Sequence, residues 1–340
     1  MYLTSIARFR AIAILLIVAG HGFPLAAIAP QDLISGTLAN LITGGTTLFV
    51  CISGYMFHHV FAHRFAFRRF ITAKLRTILL PYLALCVPIT CYFVIRNPEF
   101  ASETLGQSAA PLQIGKVIVT GALFQAYWFA PFILCMFLMS PLHLRFLGLA
   151  PQPQALIIIA GLIAAVLVHR PVANLNPLQS LIYFTPAYLC GLCASRYRAA
   201  LLRRLREQET ALLAAALLLA LVQTGLGQQG NLHSAALSWS GIDLMLPQKL
   251  LLSLAIFALL ERGTGPRLDR LRPVSETSFS IFFLHPVALI LIEKAGTQHP
   301  TGLAWINLLW ITAQAVGFSM ALALSARRLL GRRSRFLLGY

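Results

Sequence analysis

Apolar stretches long enough to cross a bilayer follow one another along the chain at 11–30, 37–57, 77–95, 121–141, 154–169, 178–195, 210–227, 243–261, 276–296 and 303–325. About 20 such residues in a helix reach across roughly 30 Å of hydrocarbon, where backbone polar groups find no water and must pair within their own segment. The sequence is 58% hydrophobic and 11% charged over 340 residues, with a mean hydropathy of +0.76. A water-soluble core of that size could not hide so much apolar surface. The expected fold is all-α, a polytopic membrane protein of about ten transmembrane helices forming one domain over 1–340.

A net charge of +17 would suggest nucleic acid in a soluble protein; in a membrane protein its placement matters more. With the N-terminus in the cytoplasm, lysines and arginines gather in the cytoplasmic loops and the tail. Only Arg96, Lys116, Arg170, Lys249 and Lys294 remain for the outer half. The bias puts both termini in the cytoplasm. Clusters such as Arg64/Arg68/Arg69 and Arg327/Arg328/Arg332/Arg333/Arg335 read as topology signals and contacts to anionic membrane lipids, and no nucleic-acid partner is expected. Residues 1–29 share features with a secretory signal peptide, but Pro30 follows the small-residue stretch and His21 interrupts the apolar run, so the segment reads as a retained span. The six cysteines fall within or at the ends of spans and read as small apolar packers, Cys190 and Cys193 included. The outer loop 96–118, with Pro98, Glu99, Glu103, Gly106 and Pro111, suits a partly ordered cover, and Ser195–Glu209 an interfacial helix.

Arg10 and His21 bracket the apolar run AIAILLIVAG. Eleven residues at about 100° each come to three turns plus roughly 20°, so in a helix both side chains share one face, about 16 Å apart along the axis. An ionisable group deep in a membrane helix marks a functional site, since it costs about 2.5–3.5 kcal/mol to insert. Gly20 and Gly22 flank His21 and leave room for a substrate or a close helix.

The order of Arg10 and His21, then TLFVCISGYMF at 47–57, KLRTILLPYL at 74–83, YWFAPFILCMFLMSPL at 127–142 and SFSIFFLHPV at 278–287 resembles the acyltransferase 3 family of integral-membrane O-acyltransferases. The resemblance runs in register across the whole chain. It implies a ten-helix bacterial inner-membrane enzyme that takes an acyl group, usually acetyl, from cytoplasmic acyl-CoA and places it on a hydroxyl of a cell-envelope carbohydrate or glycolipid. The chain departs from the family pattern in two places: Ala7 stands where an acidic residue is common, and Lys74 and Thr77 stand where paired arginines are frequent, with Arg76 between them.

Attack of a sugar hydroxyl on a thioester needs a base effective near neutral pH, donors for the developing oxyanion and cations for the donor's phosphates. His21 is the candidate base, and His285, at similar depth and followed by Pro286, is a second catalytic candidate. Arg10, Lys74 and Arg76 are the candidate acyl-CoA contacts, with the stripe from Arg10 to His21 following the pantetheine arm inward. Trp128, Tyr55, Ser53 and Tyr82 are candidate substrate contacts, each with an equally simple role in packing or anchoring. The acids Asp32, Glu99, Glu103, Asp243 and Glu293 fall mostly toward the outer ends, where acceptor hydroxyls would bind. The remaining histidines fit no metal-ligand spacing, so no metal is expected. The competing class is a transporter or flippase of a glycan or glycolipid, which often carries internal repeats; the halves of this chain show no such correspondence.

Overall fold

The computed structural model describes residues 3–97, 99, 106–122, 124–236, 238, 240–262 and 270–339. The helices are α1 Thr4–Gly22, α2 Leu33–Ile42, α3 Thr46–Met56, α4 Phe67–Lys74, α5 Leu80–Arg96, α6 Ala110–Thr120, α7 Phe129–Leu138, α8 Ser140–Gly148 and α9 Pro151–Val168. They continue as α10 Pro177–Arg196, α11 Arg198–Leu205, α12 Glu209–Gly225, α13 Met245–Arg262, α14 Arg272–Lys294, α15 Ala304–Leu330 and α16 Ser334–Leu338. The strands described are β1 Arg170–Pro171 and β2 His233–Ser234, paired in parallel.

Among the described residues, six helical segments are long and apolar enough to cross a membrane, and the bent pair α7–α8 makes a seventh. Helices also lie over the other three apolar stretches. Of these, α12 has 17 residues, α13 carries Lys249, Glu261 and Arg262, and α10 is diluted by Gln179, Ser180, Tyr183 and Tyr188. The chain is a multi-pass, mostly helical membrane protein.

Local sequence explains the breaks. Asp32 caps α2, accepting from the backbone N–H groups of Ile34 and Ser35 and from Ser35 Oγ, bonds that hold its carboxyl below the usual range. Pro81 has no N–H to return to the carbonyl of Thr77, and just before it the chain forms a π turn over Leu75–Leu79 in which the Leu80 N–H reaches Leu75 O. The stretch 121–141 does not begin as helix: the described residues before α7 form turns and bends, and α7 meets α8 at an angle of 52°, with Pro141 in the first turn of α8. The outer loop contains α6, while Pro98 and Glu103 lie outside the described residues.

α1 runs through the middle of the bundle against α3, α13, α14 and α15, with Ala11, Ala13, Ile14 and Val18 fully buried. The closest helix pair is α3 with α10. A Cβ built on Gly54 would lie 2.0 Å from Tyr188 O, and one on Gly191 would lie 2.0 Å from Cys51 O. Only glycine lets these two backbones meet, as in other small-residue crossings within membranes.

Candidate active site

α1 is unbroken between Arg10 and His21, and α14 passes beside it. His285, fully buried on α14, places Nε2 2.8 Å from Nδ1 of His21, the two rings 8° from parallel. The other nitrogen of His285, Nδ1, lies 2.9 Å from the carbonyl oxygen of Ile281. A carbonyl only accepts, so Nδ1 of His285 carries the hydrogen. In the neutral ring Nε2 is then the acceptor, and it takes the Nδ1–H of His21. The chain of bonds leaves Nε2 of His21 as the lone-pair nitrogen. A base whose second nitrogen is held by an orienting partner is the arrangement that nucleophilic and general-base sites share.

Toward the N-terminal half of α1 lies a cavity of about 1100 Å³ lined by Arg10, Ser53, Lys74, Ser278, Arg327 and Arg335, with Glu276 as the carboxylate on its wall. Nη2 of Arg10 donates to the carbonyl and to Oγ of Ser275 at 2.8 and 3.3 Å. The ammonium of Lys74 sits 4.9, 5.3 and 4.7 Å from the ring centres of Phe61, Phe70 and Phe137. Such contacts hold a cation in an apolar wall, each worth about 0.5–2 kcal/mol. Arg76, two residues on and therefore roughly 200° around the axis, is exposed and outside this lining.

The stripe expected to follow the pantetheine arm from Arg10 to His21 is closed. Ile14 and Ile17 are buried on α1 between them, and His21 does not line the cavity. Phe129, at the cavity wall, packs 5.1 Å from Phe282, which in turn lies 6.1 Å from His285. One apolar layer therefore separates cavity and histidine pair. The room beside Gly20 and Gly22 is taken by neighbouring helices: a Cβ there would meet Thr43 at 3.7 Å and Leu308 at 3.2 Å.

The other candidates separate. Ser53 lines the cavity, but its hydroxyl donates to Phe49 O at 2.8 Å, so its oxygen faces the cavity as an acceptor and not as an oxyanion donor. Tyr82 is fully buried and donates to the carbonyls of Val117 and Ile118 at 2.7 and 3.1 Å, tying α5 to α6. Tyr55 faces a different, apolar groove among α3, α10 and α13, beside Phe257. Trp128 is buried beneath the guanidinium of Arg170, 4.9 Å from its ring centre, with Phe184 stacked on it at 5.8 Å.

Arg170 belongs to a polar cluster that sequence reasoning did not assemble. It is 8% exposed; Nε and Nη2 donate to Asn174 Oδ1 at 3.1 and 2.7 Å, and Nη1 donates to Asn231 Oδ1. Tyr183 OH donates to Asp243 Oδ2 at 2.9 Å, and Asn231 Nδ2 lies 3.5 Å from the same hydroxyl. Arg170 is within electrostatic reach of His21. Nearby, the buried ammonium of Lys249 donates to Asn40 O and Leu41 O at 2.9 and 2.7 Å, satisfying carbonyls of the last turn of α2. Arg170, Lys249 and Asp243 were visible in the sequence as rare charges of the outer half. Their convergence depends on the β1–β2 pairing of two distant loops, which no periodicity announces.

No curated protein and no solved structure gives a significant match to the chain. A family model described as an acyltransferase domain matches residues 3–328, nearly the whole chain, and ends before α16. The resemblance carried by Arg10, His21 and the later motifs is thereby shown, and the chain belongs to the acyltransferase 3 family.

Proposed function

We propose that the protein is an O-acyltransferase of the bacterial inner membrane, with ten spans and both termini in the cytoplasm, that moves an acyl group, acetyl first among them, from acyl-CoA to a hydroxyl of a cell-envelope or exported carbohydrate. The observation that carries this reading is the position of the His21–His285 pair. On one side lies a cavity rich in cations and on the other the Arg170–Asn231–Tyr183–Asp243 cluster. Arg10 near one chain end and Arg335 near the other border the same cavity, which supports termini on one side, and the distribution of lysines and arginines makes that side cytoplasmic.

In this reaction the acceptor hydroxyl hydrogen-bonds to Nε2 of His21. Its oxygen attacks the thioester carbonyl carbon while Nε2 takes the proton. The new C–O bond forms, the C–S bond breaks, and the proton passes from Nε2 to the departing thiolate of CoA. His285 Nε2 accepts from Nδ1–H throughout and so steadies the imidazolium. Arg10 and Lys74 meet the donor's phosphates, and the Arg170 cluster, with Trp128 beneath it, meets the acceptor.

Arg10→Gln raises the KM for acetyl-CoA about tenfold or more, the loss expected for one charged hydrogen bond. Arg10→Lys does not restore it, because an ammonium cannot hold Ser275 and a phosphate with one planar fork. Equal KM values in wild type and both variants would place the cationic entrance elsewhere.

The cross-membrane reading is tested in inside-out vesicles. Acetyl-CoA added outside should acetylate acceptor enclosed in the lumen, and a membrane-impermeant thiol reagent should label Ser108→Cys, exposed within the outer loop, only from the lumen. Labelling from the cytoplasmic face reverses the topology. Transfer confined to acceptor on the donor's side leaves the topology standing and removes the cross-membrane step.

A further inference from the structure

The segment after Leu330 lies beyond the residues that the family model matches, yet it forms one wall of the donor cavity. Gly331, at φ +55°, turns the chain at the end of α15, and α16 folds back against α5, α14 and α15. It is fastened there by the hydroxyl of Ser280, which donates to Leu338 O at 2.7 Å, and Ser334 within it is buried. So held, the segment lines the cavity with Gly331, Ser334, Arg335, Phe336 and Gly339, and the last turn of α15 adds Arg327.

Among the described lining residues, cations outnumber acids. Arg10, Lys74, Arg327 and Arg335 line a single cavity, and the charge of Arg335 reaches Lys74. The one carboxylate among the described lining residues, Glu276, is already bonded to Nε of Arg272 at 2.8 Å. A low-dielectric wall that gathers cations and spends its acid elsewhere focuses a positive potential and draws a polyanion. From the sequence, Arg327 and Arg335 read as topology signals and lipid contacts; their place on the cavity wall gives them a second use.

We infer that the end of α15 and the C-terminal segment together build a phosphate subsite in which Arg327 and Arg335, lining one cavity with Lys74, bind the phosphates at the nucleotide end of acyl-CoA. This rests on the donor reading given above. The pantetheine arm then points from this wall toward the Phe129–Phe282 layer, and of the two arginines Arg335 lies beyond the residues that the family model matches.

The test is titration of detergent-solubilised protein with coenzyme A and, separately, with pantetheine, which has the thiol arm but no nucleotide. Arg335→Gln and Arg327→Gln should each weaken coenzyme A binding about tenfold or more and shrink the preference for coenzyme A over pantetheine by a similar factor. Arg328→Gln, on the exposed face of the same helix, should leave that preference unchanged, and Arg335→Lys should recover part of it. 3′,5′-ADP should compete with coenzyme A for the wild type. An unchanged preference in both glutamine variants overturns the subsite, as does an equal loss for both ligands. Competition by phosphatidylglycerol micelles but not by 3′,5′-ADP assigns the cations to a lipid headgroup and overturns it too. A wild type that binds neither coenzyme A nor pantetheine removes the donor reading itself, and the subsite with it.

Discussion

Replacing His21 by alanine lowers acyl transfer by roughly 10²–10⁴-fold, the span expected when a positioned general base is lost, while the protein still inserts and folds. His21→Gln does little better, because an amide can occupy the hydrogen bond to His285 Nε2 but cannot take a proton from the acceptor hydroxyl. His285→Gln gives a smaller loss, since the base remains and only its tautomer and orientation are released. The order of the three variants is the informative result: two near-dead enzymes at position 21 and an intermediate one at 285, read as coenzyme A released per minute with acceptor present. Turnover close to wild type in either His21 variant removes the base from the mechanism. A His285 variant as dead as His21→Ala would give His285 a direct part in proton transfer.

The second large effect is on the fold. Gly54→Val puts a branched side chain where a single Cβ would already sit 2.0 Å from Tyr188 O. The obstruction is backbone, so no rotamer change relieves it, and the cost reaches or exceeds the upper end of the roughly 1–3 kcal/mol typical of overpacking. Gly191→Val fails in the same way against Cys51 O. The outcome is loss of folded protein in detergent, measured as a collapsed yield of monodisperse material and a thermal midpoint lowered by many degrees. Gly115→Ala is the matched control: it lies inside α6, a Cβ there meets nothing within 4 Å, and alanine favours the helix by about 1 kcal/mol. A Gly54→Val protein with normal yield and midpoint would mean that α3 and α10 can separate without harm, and the cavity wall carried by Ile52 and Ser53 would then be movable.

How much of this was legible in the sequence depends on the range of the interaction. The Arg10–His21 relation was readable because eleven residues on one helix fix a shared face, and α1 keeps that helix intact. The apolar stretches were readable because hydrocarbon sets a length. The pairing of His21 with His285 was only half readable: Pro286 signals a backbone group in need, but the contact between α1 and α14 is tertiary. The Ile14–Ile17 and Phe129–Phe282 closure escaped notice because a stripe drawn on one helix says nothing of what its neighbours insert. Tyr82 and Tyr55 were chosen for their polar tips, and the fold spends one on the carbonyls of α6 and turns the other into a separate groove. Arg335 was hidden among arginines whose number alone satisfied the topology rule.

The apolar layer between the cationic cavity and the histidine pair also bears on the membrane as an electrical insulator. In the proposed topology polar groups approach the midplane from both faces, the cationic cavity on one side and the buried Arg170 cluster on the other, and a continuous aqueous path there would let protons run down the gradient, each worth about 2.3 kcal/mol per 100 mV. Ile14, Ile17, Phe129 and Phe282 interrupt that path. A donor whose thioester reaches His21 must part this layer with its own acyl chain and pantetheine arm, so the plug that yields is replaced by the substrate that displaces it. In the proposed reaction the membrane then stays tight, and the side chains that close the path are the ones that the acyl group must fit.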